Sequence, residues 1–115
     1  MSSPRSIEEV YDYHVQAFFS RDVNGLLEDY NNQSVIFTQQ GVITGLEQMR
    51  GFFTQLLEMM SPESMANTKM LTKAIEGDVA FHTWDRGAEY PFGAETFVVR
   101  GGKIVAQTLG MYVPE

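Results

Sequence analysis

Up to Met60 apolar side chains recur at helical spacing; from Ala66 onward they alternate with polar ones. Ile7, Val10, Tyr11, His14, Ala17 and Phe18 fall on one stripe, which predicts an amphipathic helix facing a core. Ser6-Ile7-Glu8-Glu9 in front of it reads as a capping box. Asp22 caps a second, shorter helix carrying Val23, Leu26, Leu27 and Tyr30, and Asn31-Asn32 ends it. Ser34–Thr38 and Val42–Thr44 predict two short strands joined through Gln39-Gln40-Gly41. Thr44-Gly45-Leu46-Glu47 repeats the capping-box pattern and opens a third helix with Leu46, Met49, Phe53, Leu56, Leu57 and Met60 inward; Ser61-Pro62 stops it.

The second half reads as four consecutive strands, Thr68–Ile75, Val79–Asp85, Phe92–Arg100 and Lys103–Val113. Gly101-Gly102 suits a two-residue turn of positive φ and pairs Arg100 with Lys103. Simple alternation then puts Glu95, Phe97, Val99, Ile104, Ala106 and Thr108 on one face, and Thr96, Val98, Val105, Gln107 and Leu109 on the other. The first is expected to face the interior, so a carboxylate enters the core, where it needs a partner, a proton or a cavity. On Val79–Asp85 the side holding His82 and Trp84 and the side holding Phe81 and Asp85 are equally apolar, and the inward one stays open. Helices followed by a curved antiparallel sheet make an α+β layout.

Composition narrows the function classes. The 115 residues have no linker-like stretch to divide them, so one domain over 1–115 is expected. A net charge of -7 with scattered Lys and Arg argues against nucleic acid. No apolar run approaches a membrane span, and the first residues lack a signal-peptide pattern, so a cytoplasmic location without membrane attachment is expected. With no cysteine and two histidines, no metal site and no cofactor are expected.

Several signatures then converge: Phe19-Ser-Arg-Asp-Val-Asn-Gly-Leu-Leu-Glu-Asp-Tyr30, Val35-Ile-Phe, Gly41, Gly45-Leu-Glu-Gln-Met-Arg-Gly-Phe-Phe53 and Phe97-Val-Val-Arg-Gly-Gly-Lys-Ile-Val105. In these the chain resembles the nuclear transport factor 2-like superfamily, which includes SnoaL-like cyclases and ketosteroid isomerases. The resemblance implies a cone-shaped sheet wrapped around three helices. It places His14 where the isomerases have a tyrosine oxyanion donor, Thr38 where they have the aspartate base, and Glu95 where they have a protonated aspartate. A fold of this kind hosts enzymes, binding modules and inactive scaffolds.

His14 admits two readings: a partly buried imidazole satisfied by a neighbour, or one that converges with Glu95 as an acid–base or ligand-orienting pair. The expected site is a mainly apolar pocket for a small hydrophobic molecule with a polar end. His14, Glu95 and Thr38 would orient that end; Tyr11, Phe18, Tyr30, Phe53, Phe97, Val99 and Thr108 would line the rest. The alternatives are a cofactor-independent isomerase, cyclase or hydratase using His14 and Glu95, and a non-catalytic dimeric scaffold. The outer sheet face, with Val98, Val105 and Leu109, is expected to form a homodimer interface.

Overall fold

The computed structural model describes residues 4–114. Helix α1 (Ile7–Phe19) starts at the capping box: Ser6 Oγ accepts from the Glu9 amide at 3.1 Å, and the Glu9 carboxylate accepts from the Ser6 amide at 2.8 Å. Helix α2 (Val23–Leu27) is capped by Asp22, which accepts from the Gly25 amide at 2.9 Å. It is shorter than its apolar spacing predicts, and Tyr30 lies beyond its end. Helix α3 (Gly45–Met59) does not use the second capping box. Asn32 Oδ1 instead accepts from the Leu46 amide at 3.1 Å, and Gln48 Oε1 accepts from the Thr44 amide at 2.9 Å. Pro62 ends α3 and also opens a fourth helix, α4 (Pro62–Ala66), at the position where its missing N–H matters least.

The strands β1 (Val35–Thr38), β2 (Gly41–Thr44), β3 (Lys69–Glu76), β4 (Val79–Asp85), β5 (Phe92–Arg100) and β6 (Lys103–Tyr112) form one curved, open sheet in the order β2-β1-β6-β5-β4-β3. Its pairings are antiparallel except β1 with β6, which run parallel. Helices α1 and α3 both lie against one face: Tyr11 and His14 of α1 meet His82 and Phe97, and Phe53 of α3 meets His14 and Tyr30.

The hairpin register differs from simple alternation. Gly101 and Gly102 both adopt positive φ, and Arg100 pairs with Lys103 as expected. Val99 also pairs with Ile104, but Val98 pairs with Ala106, which leaves Val105 as an extra residue. This bulge turns the rest of β6 over. Phe97 pairs with Gln107 and Glu95 with Leu109, so Gln107 and Leu109 are interior, whereas Thr108 is exposed on the outer face opposite Thr96. The start of β6 is also held from outside the hairpin. The Ile104 amide donates to the Asp29 carbonyl at 2.7 Å, and Ser34 Oγ donates to the Ile104 carbonyl at 2.6 Å.

The pairing His82–Glu95 settles the open question on β4: Ala80, His82 and Trp84 face inward. Trp84 is fully buried, and its ring lies flat on the backbone of Gly93, the residue opposite it. At the other extreme, β3 is a free edge, nearly all exposed, with a bulge at Leu71 and Lys69 and Lys73 along it.

A methyl group at position 93 collides with the Trp84 ring, which has no room to retreat. Gly93→Ala should lower stability by about 1–3 kcal/mol in urea unfolding. A loss below about 0.5 kcal/mol would mean that the ring is not seated on this backbone.

Candidate functional site

The interior is organised around Glu95. Three side-chain N–H groups converge on its carboxylate: His82 Nε2 at 2.8 Å and Trp84 Nε1 at 3.3 Å on one oxygen, Gln107 Nε2 at 3.0 Å on the other. Two tyrosines extend the network. Tyr11 donates its hydroxyl to His82 Nδ1 at 2.7 Å, and Tyr30 donates to Gln107 Oε1. This assigns His82 the tautomer with its proton on Nε2. Burial pushes the Glu95 pKa up, but the hydrogen bond from His82, with the Arg86 charge nearby, more than offsets it, leaving it below the ordinary range. Burial, then the Glu95 charge, pushes the Tyr11 pKa up to about 12 and Tyr30 well above its usual value, so both stay hydroxyl donors. An ionised carboxylate that accepts three N–H groups cannot itself donate a hydrogen bond to an oxyanion.

His14 is buried beside this network and turns to a different carboxylate. Its Nδ1 lies 3.5 Å from Oδ2 of Asp29, which is completely buried, while the Arg5 guanidinium reaches Asp29 Oδ1 at 3.1 Å from the surface side. Arg5 also donates to the Gly102 carbonyl at 3.1 Å and rests on the Tyr13 ring, contacts that hold its side chain beside the buried pair.

Two spaces adjoin this core. The first, about 20 Å³, is lined by His14, Val15, Phe18, Phe19, Met70, His82, Arg86 and Glu95. It has room for little more than one water-sized group. The second is an open groove of about 990 Å³ between α3, the β1–β2 hairpin and the ends of β5 and β6. Thr38, Gln39, Gln40 and Gln55 give it polar edges; Ile43, Phe52, Leu56, Met59, Phe92 and Met111 give it an apolar wall.

The expected site residues are therefore divided. His14, Glu95 and Phe18 line the small cavity, whereas Thr38 lines the groove and donates its hydroxyl to the Gly41 carbonyl at 2.9 Å. Tyr11 and Tyr30 act through the hydrogen-bond network, and Phe53, Phe97 and Val99 are buried in the core. Phe97 is the hub of the aromatic packing, its ring 5.0 Å from that of His14 and 5.4 Å from that of His82. Thr108 points to the outer face, away from both spaces, because of the bulge. The sequence reading left the side of His82 and Trp84 open, put Gln107 on the outer face, and did not single out Arg86 or Asp29; none of these carries a local signal that decides its place.

Three solved structures show the same fold. An NTF2-like protein of unknown function from Cytophaga hutchinsonii has a TM-score of 0.74 at 11% identity, over 97% of this chain and 95% of its own. A SnoaL-like protein from Burkholderia thailandensis gives 0.74 at 12%, over 95% and 99%. A protein with a ketosteroid isomerase-like fold from Catenulispora acidiphila, in complex with trimethylamine, gives 0.68 at 18%, over 94% and 85%. No family model and no curated protein matches the sequence. Among the described residues no helix is long and apolar enough to cross a membrane.

The carboxylate network makes a pH prediction. With its folded pKa below the unfolded one, ionised Glu95 stabilises the fold fully above the ordinary carboxylate range, and that contribution fades as pH falls through the folded value. The stability difference between wild type and Glu95→Gln should be widest near pH 7, on the order of 3 kcal/mol. In urea unfolding it should narrow below about pH 4.5. A difference independent of pH would mean that the group is not ionised.

Proposed function

Given a fold shared with SnoaL-like and ketosteroid isomerase-like proteins, we propose that this chain binds a small, mainly apolar molecule with a polar end, in the groove between α3 and the β1–β2 hairpin. One observation carries the reading. The space beside Glu95 holds about 20 Å³, whereas the groove offers about 990 Å³, within the usual size range of small-molecule sites. Its wall supplies apolar contact and Thr38 and the glutamines supply a few hydrogen-bonding groups, with no charged side chain among the lining residues. A neutral ligand suits such a lining, because a buried charge there would lack a partner.

The enzymatic alternative, an isomerase, cyclase or hydratase, draws support from His14, whose imidazole lines the small cavity with Nδ1 3.5 Å from an Asp29 oxygen. Its Glu95 step differs from the one expected: an ionised Glu95 acts as an acceptor or base and not as a neutral donor. A His14→Gln variant that leaves any isomerase or hydratase turnover unchanged would remove this reading.

The same reading includes a homodimer through the outer sheet face. There Phe81, Ala94, Thr96, Val98, Ala106 and Thr108 form an uncharged surface on a chain of net charge -7. Two copies that repel elsewhere can meet on such a face. Leu109, expected on this face, is buried on the inner side instead.

Two measurements test these statements. N-phenyl-1-naphthylamine, a neutral fluorescent probe, should bind saturably at one site per chain. Met59→Lys, at a groove residue 48% exposed, should weaken it about tenfold or more while changing stability by less than about 0.5 kcal/mol. Unchanged probe affinity in that variant would reject the groove, and no saturable binding would favour the scaffold alternative. For the assembly, Thr96→Lys with Thr108→Lys places two cations directly opposite each other at the centre of the outer face and should give monomers in sedimentation. A dimer that survives both changes would move the interface elsewhere.

A further inference from the structure

Arg86 is the unresolved charge of the interior. Only 6% of it is exposed, and among the described residues no carboxylate lies within ion-pair distance of it. Glu95, by contrast, accepts from three N–H groups, and Asp29 lies within ion-pair distance of Arg5 and His14, although neither of its oxygens accepts a hydrogen bond. Arg86 makes one side-chain hydrogen bond, from Nε to Thr68 Oγ1 at 3.2 Å. Its guanidinium carbon lies over the Trp84 ring at 3.9 Å and over the Phe18 ring at 4.7 Å. Among the described residues its terminal nitrogens make no hydrogen bond, and Arg86 lines the small cavity with His14, His82 and Glu95. Buried charges are ordinarily paired, and a guanidinium edge with parallel N–H groups matches a carboxylate in two-point contact.

We propose that Arg86 anchors the carboxylate of a small monocarboxylic acid, which enters between Phe19 and Met70. These two side chains also line the cavity and are 40% and 43% exposed, an apolar mouth for the body of the acid. The space beyond them, about 20 Å³, accepts an oxygen head group and not the body. Glu95 is not the ion-pair partner of Arg86: its oxygens accept from His82, Trp84 and Gln107 and lie outside ion-pair range of the guanidinium. This site shares no lining residue with the groove and does not depend on the groove being occupied.

The test uses benzoate and its neutral isostere benzamide, titrated into the whole chain and followed by amide chemical shifts. Benzoate should bind saturably with shifts centred on Phe19, Met70 and Arg86. Benzamide should bind about tenfold more weakly or worse, as expected for the loss of a charge-assisted pair. Arg86→Lys keeps the charge but not the two-point edge, and should weaken benzoate about tenfold. Because that change also disturbs the stacking on Trp84, Phe19→Asp at the exposed mouth serves as a second variant; both probes lose the apolar contact, but benzoate is also repelled and should weaken several-fold more than benzamide. Equal affinity for the two probes overturns the proposal. So do shifts centred on Met59 and Met111, benzoate binding indifferent to both variants, or the absence of saturable binding. Retained naphthylamine binding in Arg86→Lys would show that such a failure belongs to this seat and not to the groove.

Discussion

A buried carboxylate that must be solvated by the protein itself sets the terms for the rest of this interior. Glu95 lies on β5, with two strands on one side of it and three on the other, and its oxygens are met from both neighbouring strands: His82 and Trp84 on β4, and Gln107 on β6. Each contact requires a particular side chain to face inward, so the charge fixes strand register as firmly as apolar burial does. The second layer, Tyr11 from α1 and Tyr30 from the segment after α2, ties the helical layer to the same group. Helix placement, sheet register and protonation state are therefore one problem with one solution.

Much of the fold was legible because it rests on local chemistry. The Ser6–Glu9 box, the Asp22 cap, the Gly101-Gly102 turn and the bounds of β4 and β5 follow from short-range rules and are found where those rules put them. The misreadings come from long-range constraints. Thr44 does not cap α3 because Asn32, in the preceding loop, reaches the Leu46 amide. Thr108 turns outward because contacts from Asp29 and Ser34 hold Ile104 while the hairpin turn holds Lys103, and the surplus residue bulges at Val105. A string carries no mark of such a bulge, and one extra residue exchanges the two faces of everything after it. His82 illustrates the same limit: its neighbours on β4 gave no preference, and only its pairing with Glu95 decides its side.

The interior polar groups and the open space do not coincide. The side chains with acid–base character lie around a space of about 20 Å³, while the groove beside α3 is lined by side chains without charge. In a fold shared with SnoaL-like and ketosteroid isomerase-like structures, this chain thus keeps its titratable interior side chains apart from its larger groove. Arg86, stacked between Phe18 and Trp84, stands nearest to joining them, because it brings a charge to a mouth flanked by apolar side chains.

The outermost strand has a consequence for life in a crowded solution. Along β3 one row of main-chain donors and acceptors has no neighbouring strand among the described residues, an invitation to any foreign extended segment. The kink at Leu71 breaks the straight run such a segment would need, and Lys69 and Lys73 place charge on the strand, the latter with its ammonium over the Tyr11 ring and near Asp12. Both are features that ordinarily guard a free edge against foreign strands. Replacing those lysines with threonine or valine would remove that protection long before it disturbed the core.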